Sequence, residues 1–333
     1  MKISIMITSY NLEDCIDTAI ESVVRQRMPC EWEILVGDDG SSDNTVERIN
    51  AWVNKYPENI KLFCIPRNSN VEKVGSRAAK NRAFLLEHAT GDYLNYLDGD
   101  DVLVGVDKFE KQITLLESQN NSDCSCCATN IEAYVMSDSR RYLMADKEIP
   151  LRKFTFDEYW SYHYFHTNTI LFRKQCKDLL LNKLYRNFLN DNFITFLLLQ
   201  CGNMLYIPKV YSIYNMTGNG LWTGHGRVYG NFRNMQLFDL ENLIRPQSKS
   251  LIMRKHHADI RAIRTFYSAN DYNHVKPLIE GLDPSVFVYT WLLSKLEGLS
   301  KDELKKKKRL IRAAELSIFK SRLRTLLNKF GIK

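Results

Sequence analysis

The chain has 333 residues, 44% of them hydrophobic and 26% charged, which excludes fibrous, low-complexity and intrinsically disordered classes. Its formal net charge is +7, but residues 301–333 hold twelve Lys and Arg against three Asp and Glu, so the other 300 residues sum to −2. A general nucleic-acid-binding surface is therefore not supported, and the basic character belongs to one C-terminal segment.

Residues 2–8 form a β-branched apolar run, which predicts a buried strand. The run turns polar too early for a signal-peptide core, and the longest apolar stretch, 193–199, is far shorter than the roughly 20 residues that span a bilayer. The eight cysteines are scattered, which suits a reducing cytoplasm, and Cys124, Cys126 and Cys127 fit buried strand thiols better than a metal cluster. We therefore expect a cytoplasmic protein without a transmembrane segment.

Strands and helices alternate over the first hundred residues. The pattern predicts, in chain order, a helix over 12–26, a strand over 33–36, a helix ending near Val53, a strand over 60–65, a helix over 78–88 and a strand over 93–97. Such alternation predicts an α/β fold with a mostly parallel open sheet and helices on both faces. Polar residues after Thr8, Val36 and Leu97 are expected to converge, because ligands bind at the carboxyl ends of such strands.

The alternation weakens after about residue 155. An aromatic-rich stretch over 159–165 is followed by a predicted strand over 169–172 and an apolar helix over 192–200. After Trp222 the pattern is helical to the end of the chain. We therefore predict one domain over 1–220 and a helical C-terminal region with a basic amphipathic end over 221–333.

Three carboxylates follow the strand over 93–97, in the sequence Asp98-Gly99-Asp100-Asp101. Hard oxygen ligands of this kind suit Mg²⁺ or Mn²⁺ shared with a diphosphate. Taken alone, the motif fits a solvated turn or a helix cap equally well. The motifs that precede it along the chain favour the metal site.

Those motifs are IMITSYN at 5–11, VGDDGSSDNT at 36–45 and GDY at 91–93, ahead of LDGDD at 97–101. Together they closely resemble inverting glycosyltransferases of family 2, of the bacterial surface-glycan type, which have the GT-A fold. The resemblance covers roughly residues 2–112. It implies transfer of a sugar from a nucleotide-sugar to a hydroxyl of a glycan or lipid-linked glycan acceptor, assisted by Mn²⁺ or Mg²⁺.

The resemblance also implies roles for individual residues. Thr8, Tyr10 and Asp39 line the nucleotide pocket, where Tyr10 lies beside the base and Asp39 accepts its imide N–H. Uracil offers that N–H, so a UDP-sugar is favoured as the donor. Asp98 faces the ribose or the metal ion, and Asp100 is the principal metal ligand.

Other residues near these motifs are candidate cations for the diphosphate or candidate N-caps of the following helix. The segment GSRAAKNR at 75–82 has Lys80 where the family usually has Arg, and Lys80 is expected to supply a cation near the diphosphate. Arg77 and Arg82 are alternatives for that role. Asp38 and Asp43 are expected to cap the following helix, as Ser42 would also do.

Inverting transfer needs a general base that deprotonates the acceptor hydroxyl. In the resembled family this base is commonly the Asp of a Glu-Asp pair ahead of an apolar helix, and Asn190-Asp191 stands there in this chain. Asp191 is therefore the expected base, with Asn190 a departure from the pair, and the alternative is that Asp191 caps the helix. His166 lies among aromatic residues and is expected to be packed and hydrogen-bonded more than to contact the acceptor.

Residues 217–226, TGNGLWTGHG, contain four glycines and suggest a mobile closure. In that closure Trp222 covers the donor or stacks on a sugar, and His225 reaches the diphosphate or the metal ion. An ordinary exposed connection between domains fits equally well.

The C-terminal segment over 301–333 combines a basic block at 305–309 with apolar residues at three- and four-residue spacings. It is expected to attach the protein to an anionic membrane surface on the inner face of the cell membrane. The alternative is that the apolar face packs on the catalytic domain or on a second subunit of a homo-oligomer.

Two other functions fit parts of the pattern. A nucleotidyltransferase would use the same sheet and acidic site, but it would need a glycine-rich phosphate loop after the first strand, and residues 8–11 hold no glycine. The second is a catalytically inactive nucleotide- or carbohydrate-binding relative. The intact Asp39, Asp98, Asp100 and Asp191 argue against it.

Overall fold

The computed structural model of the protein describes residues 1–66, 76–145, 149–158 and 165–217, and residues 237–251 except 239, 247, 249 and 250. The chain divides into two compact units, Met1–Gly224 and His225–Lys333. Among the described residues, no helix has both the length and the apolar character needed to cross a membrane. Most of the helical region predicted over 221–333, including all of its basic end, lies outside the described residues.

The first unit is built from strands and helices in alternation over its N-terminal half. Its strands are β1 (Lys2–Ser9), β2 (Glu31–Asp38), β3 (Ile60–Cys64), β4 (Tyr93–Asp98), β5 (Val102–Leu103), β6 (Cys124–Val135), β7 (Arg140–Leu143), β8 (Arg152–Phe154), β9 (Leu171–Arg173) and β10 (Asn203–Met216). Its helices are α1 (Ile16–Val24), α2 (Thr45–Lys55), α3 (Ser76–His88), α4 (Lys108–Leu116), α5 (Lys177–Leu180) and α6 (Asp191–Cys201).

These strands form one sheet in the order β3-β2-β1-β4-β9-β6-β10-β5, with β7 beside β6 and β8 beside β10. The pairs β1–β2, β1–β4, β2–β3 and β6–β10 are parallel and hold most of the paired residues. β9 lies antiparallel between β4 and β6. The predicted α/β fold with a mostly parallel sheet is confirmed.

Burial of β1 in the core explains why its sequence is an apolar run. Ile3, Ile5 and Ile7 pack with Ile16 and Ile20 of α1 on one face of the sheet. Met6 points to the opposite face, because side chains alternate along a strand, and it is also fully buried. Both faces of β1 are therefore covered, as expected for a central parallel strand.

The predicted strand over 169–172 is wrong at its start. Thr167–Thr169 form a 3-10 turn, in which the Thr169 hydroxyl donates to the carbonyl of His166 at 2.7 Å. β9 begins only at Leu171. The polar side chains and this local hydrogen bond favour a turn over an extended strand.

The three neighbouring cysteines of β6 are buried thiols, as predicted. Cys124, Cys126 and Cys127 are each at most 1% exposed. Burial raises the pKa of the Cys126 thiol to about 12, so this group stays protonated at neutral pH.

Candidate active site

The carboxyl ends of three adjacent parallel strands bring the predicted motifs together. Thr8 of β1 pairs with Gly37 of β2 on one side and with Asp98 of β4 on the other. The backbone of Gly99 approaches β1 so closely that a Cβ on it would lie 2.9 Å from the Thr8 carbonyl oxygen. The glycine inside the acidic motif therefore permits close packing of β4 against β1. The prediction that these strand ends converge is confirmed.

The turn after β2 is shaped by Asp38. Its Oδ1 atom accepts hydrogen bonds from the backbone N–H groups of Gly40 at 3.0 Å and Ser41 at 2.8 Å. Asp38 therefore closes its own turn, and the prediction that it caps the following helix is wrong. Asp43 does hold the start of α2, since its Oδ1 accepts from the Thr45 backbone N–H at 3.1 Å.

Asp39, predicted to read the nucleotide base, forms an ion pair with Arg77 of α3. Arg77 Nε lies 3.0 Å and 2.9 Å from the two carboxylate oxygens, and Arg77 Nη2 lies 2.7 Å from Oδ1. Tyr10 is 39% exposed. A nucleotide base that donated a hydrogen bond to Asp39 would therefore share the Asp39 carboxylate with Arg77.

Asp98 accepts hydrogen bonds from two other motifs. Thr8 Oγ1 donates to Oδ1 at 2.7 Å, and Arg82 Nη2 of α3 lies 2.9 Å from both Asp98 oxygens. Burial alone would raise the pKa of Asp98, but the charges of Arg82 and His166 and the Thr8 hydrogen bond hold it below its ordinary value. Asp98 is therefore held in the charged form.

Asp191 is linked to the same guanidinium. Arg82 Nη2 lies 3.2 Å from Asp191 Oδ1, and Thr167 Oγ1 donates to that oxygen at 3.1 Å. The Arg82 side chain is only 9% exposed, and Tyr96 donates to its backbone carbonyl at 3.1 Å. Arg82 thus holds two acidic residues from distant parts of the chain in one cluster.

Asn190 is the N-cap of α6. Its side-chain oxygen accepts from the Phe193 backbone N–H at 2.9 Å, and Asp191 is the first helical residue. The alternative role for Asp191 as the N-cap is therefore wrong. The residue that departs from the family's Glu-Asp pair performs the capping, which leaves the Asp191 carboxylate to face the site.

His166 lies between the acidic loop and Asp191. Its Nε2 atom is 3.3 Å from Asp191 Oδ2, its Nδ1 atom is 3.7 Å from Asp101 Oδ2, and its ring stacks on Tyr214 with centroids 4.7 Å apart. The Asn168 backbone N–H donates to Nδ1 at 3.4 Å. His166 is 2% exposed, which confirms that it is a packed, hydrogen-bonded residue.

Asp101 is fully buried and held by two asparagines. Its oxygens accept from Asn168 Nδ2 at 2.7 Å and from the Asn215 backbone N–H at 3.1 Å. Burial, followed by the charges of Asp100 and Asp98, raises the pKa of Asp101 well above its ordinary value. The loop therefore concentrates more negative charge than its surroundings neutralise.

The Asp100 carboxylate lies in the same acidic loop, next to Asp98 and Asp101 in the chain. No other residue in the described part of the chain donates a hydrogen bond to its carboxylate. Burial, and next the charge of Asp98, raise the pKa of Asp100 to about 6. A divalent cation would relieve both effects by supplying positive charge.

The donor atoms of the acidic loop fit a hard divalent cation. One oxygen each of Asp98 and Asp101 and one ring nitrogen of His166 lie within 4.8 Å of one another. The predicted set was Asp98, Asp100 and His225: of these, Asp98 belongs to the cluster, Asp100 is not one of its three residues, and His225 lies outside the described residues. The structure groups Asp101 and His166 with Asp98 instead. Carboxylate oxygens are the ligands that Mg²⁺ and Mn²⁺ prefer.

The other predicted residues divide into two groups. Lys80 is an exposed residue of α3, and its role beside the diphosphate stays a prediction. Trp222 and His225 lie outside the described residues, as does most of the glycine-rich segment. Their predicted contacts with donor and metal ion remain predictions.

Thr167, Asn168 and Asn215, which hold Asp191 and Asp101, were not predicted as site residues. A signal was available for the first two, because His166-Thr167-Asn168-Thr169 is a polar run between Phe165 and an apolar strand. Such a run in a buried region predicts partners for its polar atoms. Asn215 gave no comparable signal.

Comparisons of sequence place the chain among known proteins. The family model described as Glycosyl transferase family 2 matches residues 4–180. The UDP-Glc:alpha-D-GlcNAc-diphosphoundecaprenol beta-1,3-glucosyltransferase WfgD of Escherichia coli is 36% identical over 120 residues, which are 36% of this chain and 43% of that protein. The putative teichuronic acid biosynthesis glycosyltransferase TuaG of Bacillus subtilis (strain 168) is 33% identical over 152 residues, 46% of this chain and 51% of that protein. The chain spans about half the length of these curated relatives.

Comparison of structures finds the same fold at low sequence identity. The crystal structure of S. aureus TarS 1-349 in complex with UDP-GlcNAc matches with a TM-score of 0.62 and 18% identity, covering 85% of this chain and 80% of that chain. GalNAc-T7 with UDP, GalNAc and Mn2+ matches with a TM-score of 0.54 and 14% identity, covering 84% of this chain and 54% of that chain.

Proposed function

Because the chain belongs to glycosyltransferase family 2, we propose that it transfers a sugar from a UDP-sugar to a hydroxyl of a glycan or lipid-linked glycan, with inversion at the anomeric carbon. One observation carries the proposal. Arg82 holds Asp98, from the acidic loop, and Asp191, from the start of α6, on one guanidinium nitrogen. A donor-side carboxylate and a candidate base therefore lie in one crevice at the strand ends.

The donor is proposed to bind at the ends of β1 and β2. Thr8, Tyr10 and Asp39 lie there, and the relatives point to the same class of donor, since WfgD is named as a UDP-Glc transferase and TarS is crystallised with UDP-GlcNAc. Asp39 would accept the imide N–H of uracil beside Arg77. Lys80 and, outside the described residues, Trp222 and His225 are proposed to complete the donor side.

A divalent cation, Mn²⁺ or Mg²⁺, is proposed to be held by Asp100 with help from Asp98. Asp98 Oδ2 accepts only from Arg82 among the described residues, and a carboxylate oxygen has a second lone pair for a metal ion. When bound, such an ion would neutralise the charge that develops on the departing diphosphate. GalNAc-T7, which shares the fold, is crystallised with UDP and Mn2+.

Asp191 is proposed as the general base. The acceptor oxygen attacks the anomeric carbon, the bond from that carbon to the UDP oxygen breaks, and the acceptor proton passes to a carboxylate oxygen of Asp191. Arg82, Thr167 and His166 each contact this carboxylate and fix its position. Because Asn190 caps α6, proton transfer does not compete with helix capping.

The acceptor is proposed to be presented at the inner face of the cell membrane. WfgD is named for a diphosphoundecaprenol substrate, and a lipid-linked acceptor would be concentrated at a membrane. The segment over 301–333, which lies outside the described residues, is proposed to supply the attachment through its basic and apolar residues. Packing on a second subunit remains the alternative.

The test is a screen of UDP-sugars with glycan and lipid-linked acceptors, followed by measurement of UDP release with and without Mn²⁺. Transfer with inverted anomeric configuration, determined by NMR of the product, is the expected outcome. Tight UDP binding without turnover on any acceptor would support the inactive relative instead, and release of pyrophosphate would support a nucleotidyltransferase.

A further inference from the structure

Three buried side chains bind three successive backbone carbonyls beside the site. Lys108 Nζ of α4 donates to the Asn168 carbonyl at 2.6 Å, Gln112 Nε2 of α4 to the Thr169 carbonyl at 2.9 Å, and Asn95 Nδ2 of β4 to the Ile170 carbonyl at 2.7 Å. Asn95, Lys108 and Gln112 are each 0% exposed. We name these three residues the carbonyl clamp.

The clamped segment is the one that contacts Asp191. The turn over Thr167–Thr169 carries the Thr167 hydroxyl, which donates to Asp191 Oδ1, and it follows His166, whose Nε2 faces Asp191 Oδ2. The Asn168 side chain also donates to Asp101 of the acidic loop. A shift of this turn would therefore move the partners of Asp191 and of Asp101 together.

Lys108 is an unexpected member of the clamp. Burial lowers the pKa of its ammonium to about 7, and none of its hydrogen-bond partners is a carboxylate. The Asn168 carbonyl has a second donor, Asn95 Nδ2, at 3.3 Å, so Lys108 is not required to satisfy it. An apolar side chain of the same length would fill the space without burying an amine. Lys108 Nζ is, however, also 3.5 Å from Asn95 Oδ1, a buried oxygen with no other donor among the described residues. The lysine therefore links β4 to the turn, which an apolar side chain of that length would not do.

We propose that Lys108 is a positioning residue for catalysis, which acts through the Asn168 carbonyl to fix the turn that holds Asp191. A short hydrogen bond from an amine restrains a carbonyl more firmly than apolar packing does. The inference rests on the proposed function, because it assigns Lys108 to the placement of the proposed base. It adds a residue that touches neither donor nor acceptor.

The test compares Lys108→Met with Lys111→Met in the full-length protein. Lys111 is an exposed residue of the same helix and serves as the matched control. Lys108→Met is expected to stay folded with a melting temperature near that of the wild type, because loss of the donor to Asn95 Oδ1 offsets removal of a buried amine. It should lower kcat by about tenfold to a hundredfold, since small misplacements of a catalytic group have effects of that size, and change UDP affinity and donor KM much less. Lys111→Met should match the wild type in all four.

A second variant, Lys108→Gln, keeps the proposal testable if Lys108→Met does not fold. Lys108→Gln removes the charge but keeps a side-chain donor, and it should retain more of the wild-type kcat than Lys108→Met. A folded Lys108→Met protein with wild-type kcat would overturn the proposal, as would unfolding of both variants, because Lys108 would then be required by the fold itself. If the wild-type protein transfers no sugar, the proposed function is wrong. If the wild type is active but Lys108→Met has the same kcat, only the proposal for Lys108 is wrong, and the melting and UDP-binding data show that the variant is folded.

Discussion

Arg82 Nη2 lies 3.2 Å from Asp191 Oδ1. The two residues are separated by more than a hundred positions in the chain, and the same nitrogen lies 2.9 Å from both oxygens of Asp98. One buried guanidinium therefore joins α3, the end of β4 and the start of α6. The arrangement explains how two carboxylates remain close together without an opposing cation from solvent.

Replacing Arg82 should destabilise the protein and impair transfer. In Arg82→Met, two largely buried carboxylates lose their shared partner, and loss of one partner in such a cluster costs about 3 kcal/mol. Urea unfolding checks the expected loss. Lys80→Met, an exposed change on the same helix, is the control, and equal unfolding free energies for the two variants would contradict this account.

Asp100 should govern binding of UDP in the presence of metal. Asp100→Asn is expected to weaken UDP affinity in Mn²⁺ by at least about tenfold, or about 1.4 kcal/mol, and to change it little in EDTA. Calorimetry in both conditions measures the difference. Asp92→Asn, at the opposite end of β4 and exposed, should behave like the wild type. Full metal-dependent affinity in Asp100→Asn would remove Asp100 from the metal site.

Substitutions of Asp191 and Asn190 should have different effects, the first on catalysis and the second on helix capping. Asp191→Asn is expected to fold, to bind UDP normally and to lose most transfer, because it removes the proton acceptor. Asn190→Ala should instead lower the free energy of unfolding by about 1 kcal/mol, since it removes the N-cap, and keep transfer in its folded fraction. Steady-state kinetics together with urea unfolding distinguishes the two variants. Normal turnover by Asp191→Asn would exclude Asp191 as the base.

Glu33 should make stability depend on acid pH. Burial alone would raise its pKa, but hydrogen bonds from Lys2 and Ser4, each at 2.6 Å, and from the Thr90 N–H lower it to about 2. The folded-state pKa is below the unfolded value of about 4.3, so this stabilisation is complete above that value and is lost as pH falls towards about 2.

The Glu33 contribution is about 3 kcal/mol, and Glu33→Gln should remove that part of the pH dependence. Urea unfolding from pH 7 to pH 3 provides the measurement. Because Glu33 lies at the start of β2, far along the strand from Asp39, transfer by the folded variant at pH 7 should be unchanged. Parallel stability curves for variant and wild type would show that the hydrogen bonds do not lower the pKa as described.

The C-terminal segment should bind anionic lipid. Basic residues near an anionic leaflet contribute about 1 kcal/mol each, so the block at 305–309 would hold the protein reversibly and salt should release it. Cosedimentation with anionic liposomes compares the full chain with one that ends at Ser300. Equal binding by both would exclude the segment as the anchor, and unfolding of the shorter chain would favour packing on the protein.

The N-terminal half of the fold follows from the pattern of apolar and polar residues along the chain. The apolar run of β1 predicted a central buried strand, because burial on both faces requires continuous apolar residues. The polar residues after each strand predicted the edge of the sheet at which the motifs converge. The motifs and the family resemblance predicted site roles for Asp39, Asp98, Asp100 and Asp191, and these roles remain predictions. The cysteines of β6 were also assigned correctly, since scattered thiols without further ligands favour burial.

The partners of those carboxylates depend instead on how distant parts of the chain pack together. That Arg82 joins Asp98 to Asp191 depends on the packing of α3 on β1, β2 and the turn at Arg186–Phe188. That Asn190 caps α6 depends on side-chain geometry within one turn. The carbonyl clamp of Asn95, Lys108 and Gln112 needs β4, α4 and the turn before β9 in contact. Periodicity in a sequence reports which face of an element is buried, whereas a hydrogen bond between distant residues exists only when packing brings donor and acceptor within about 3 Å.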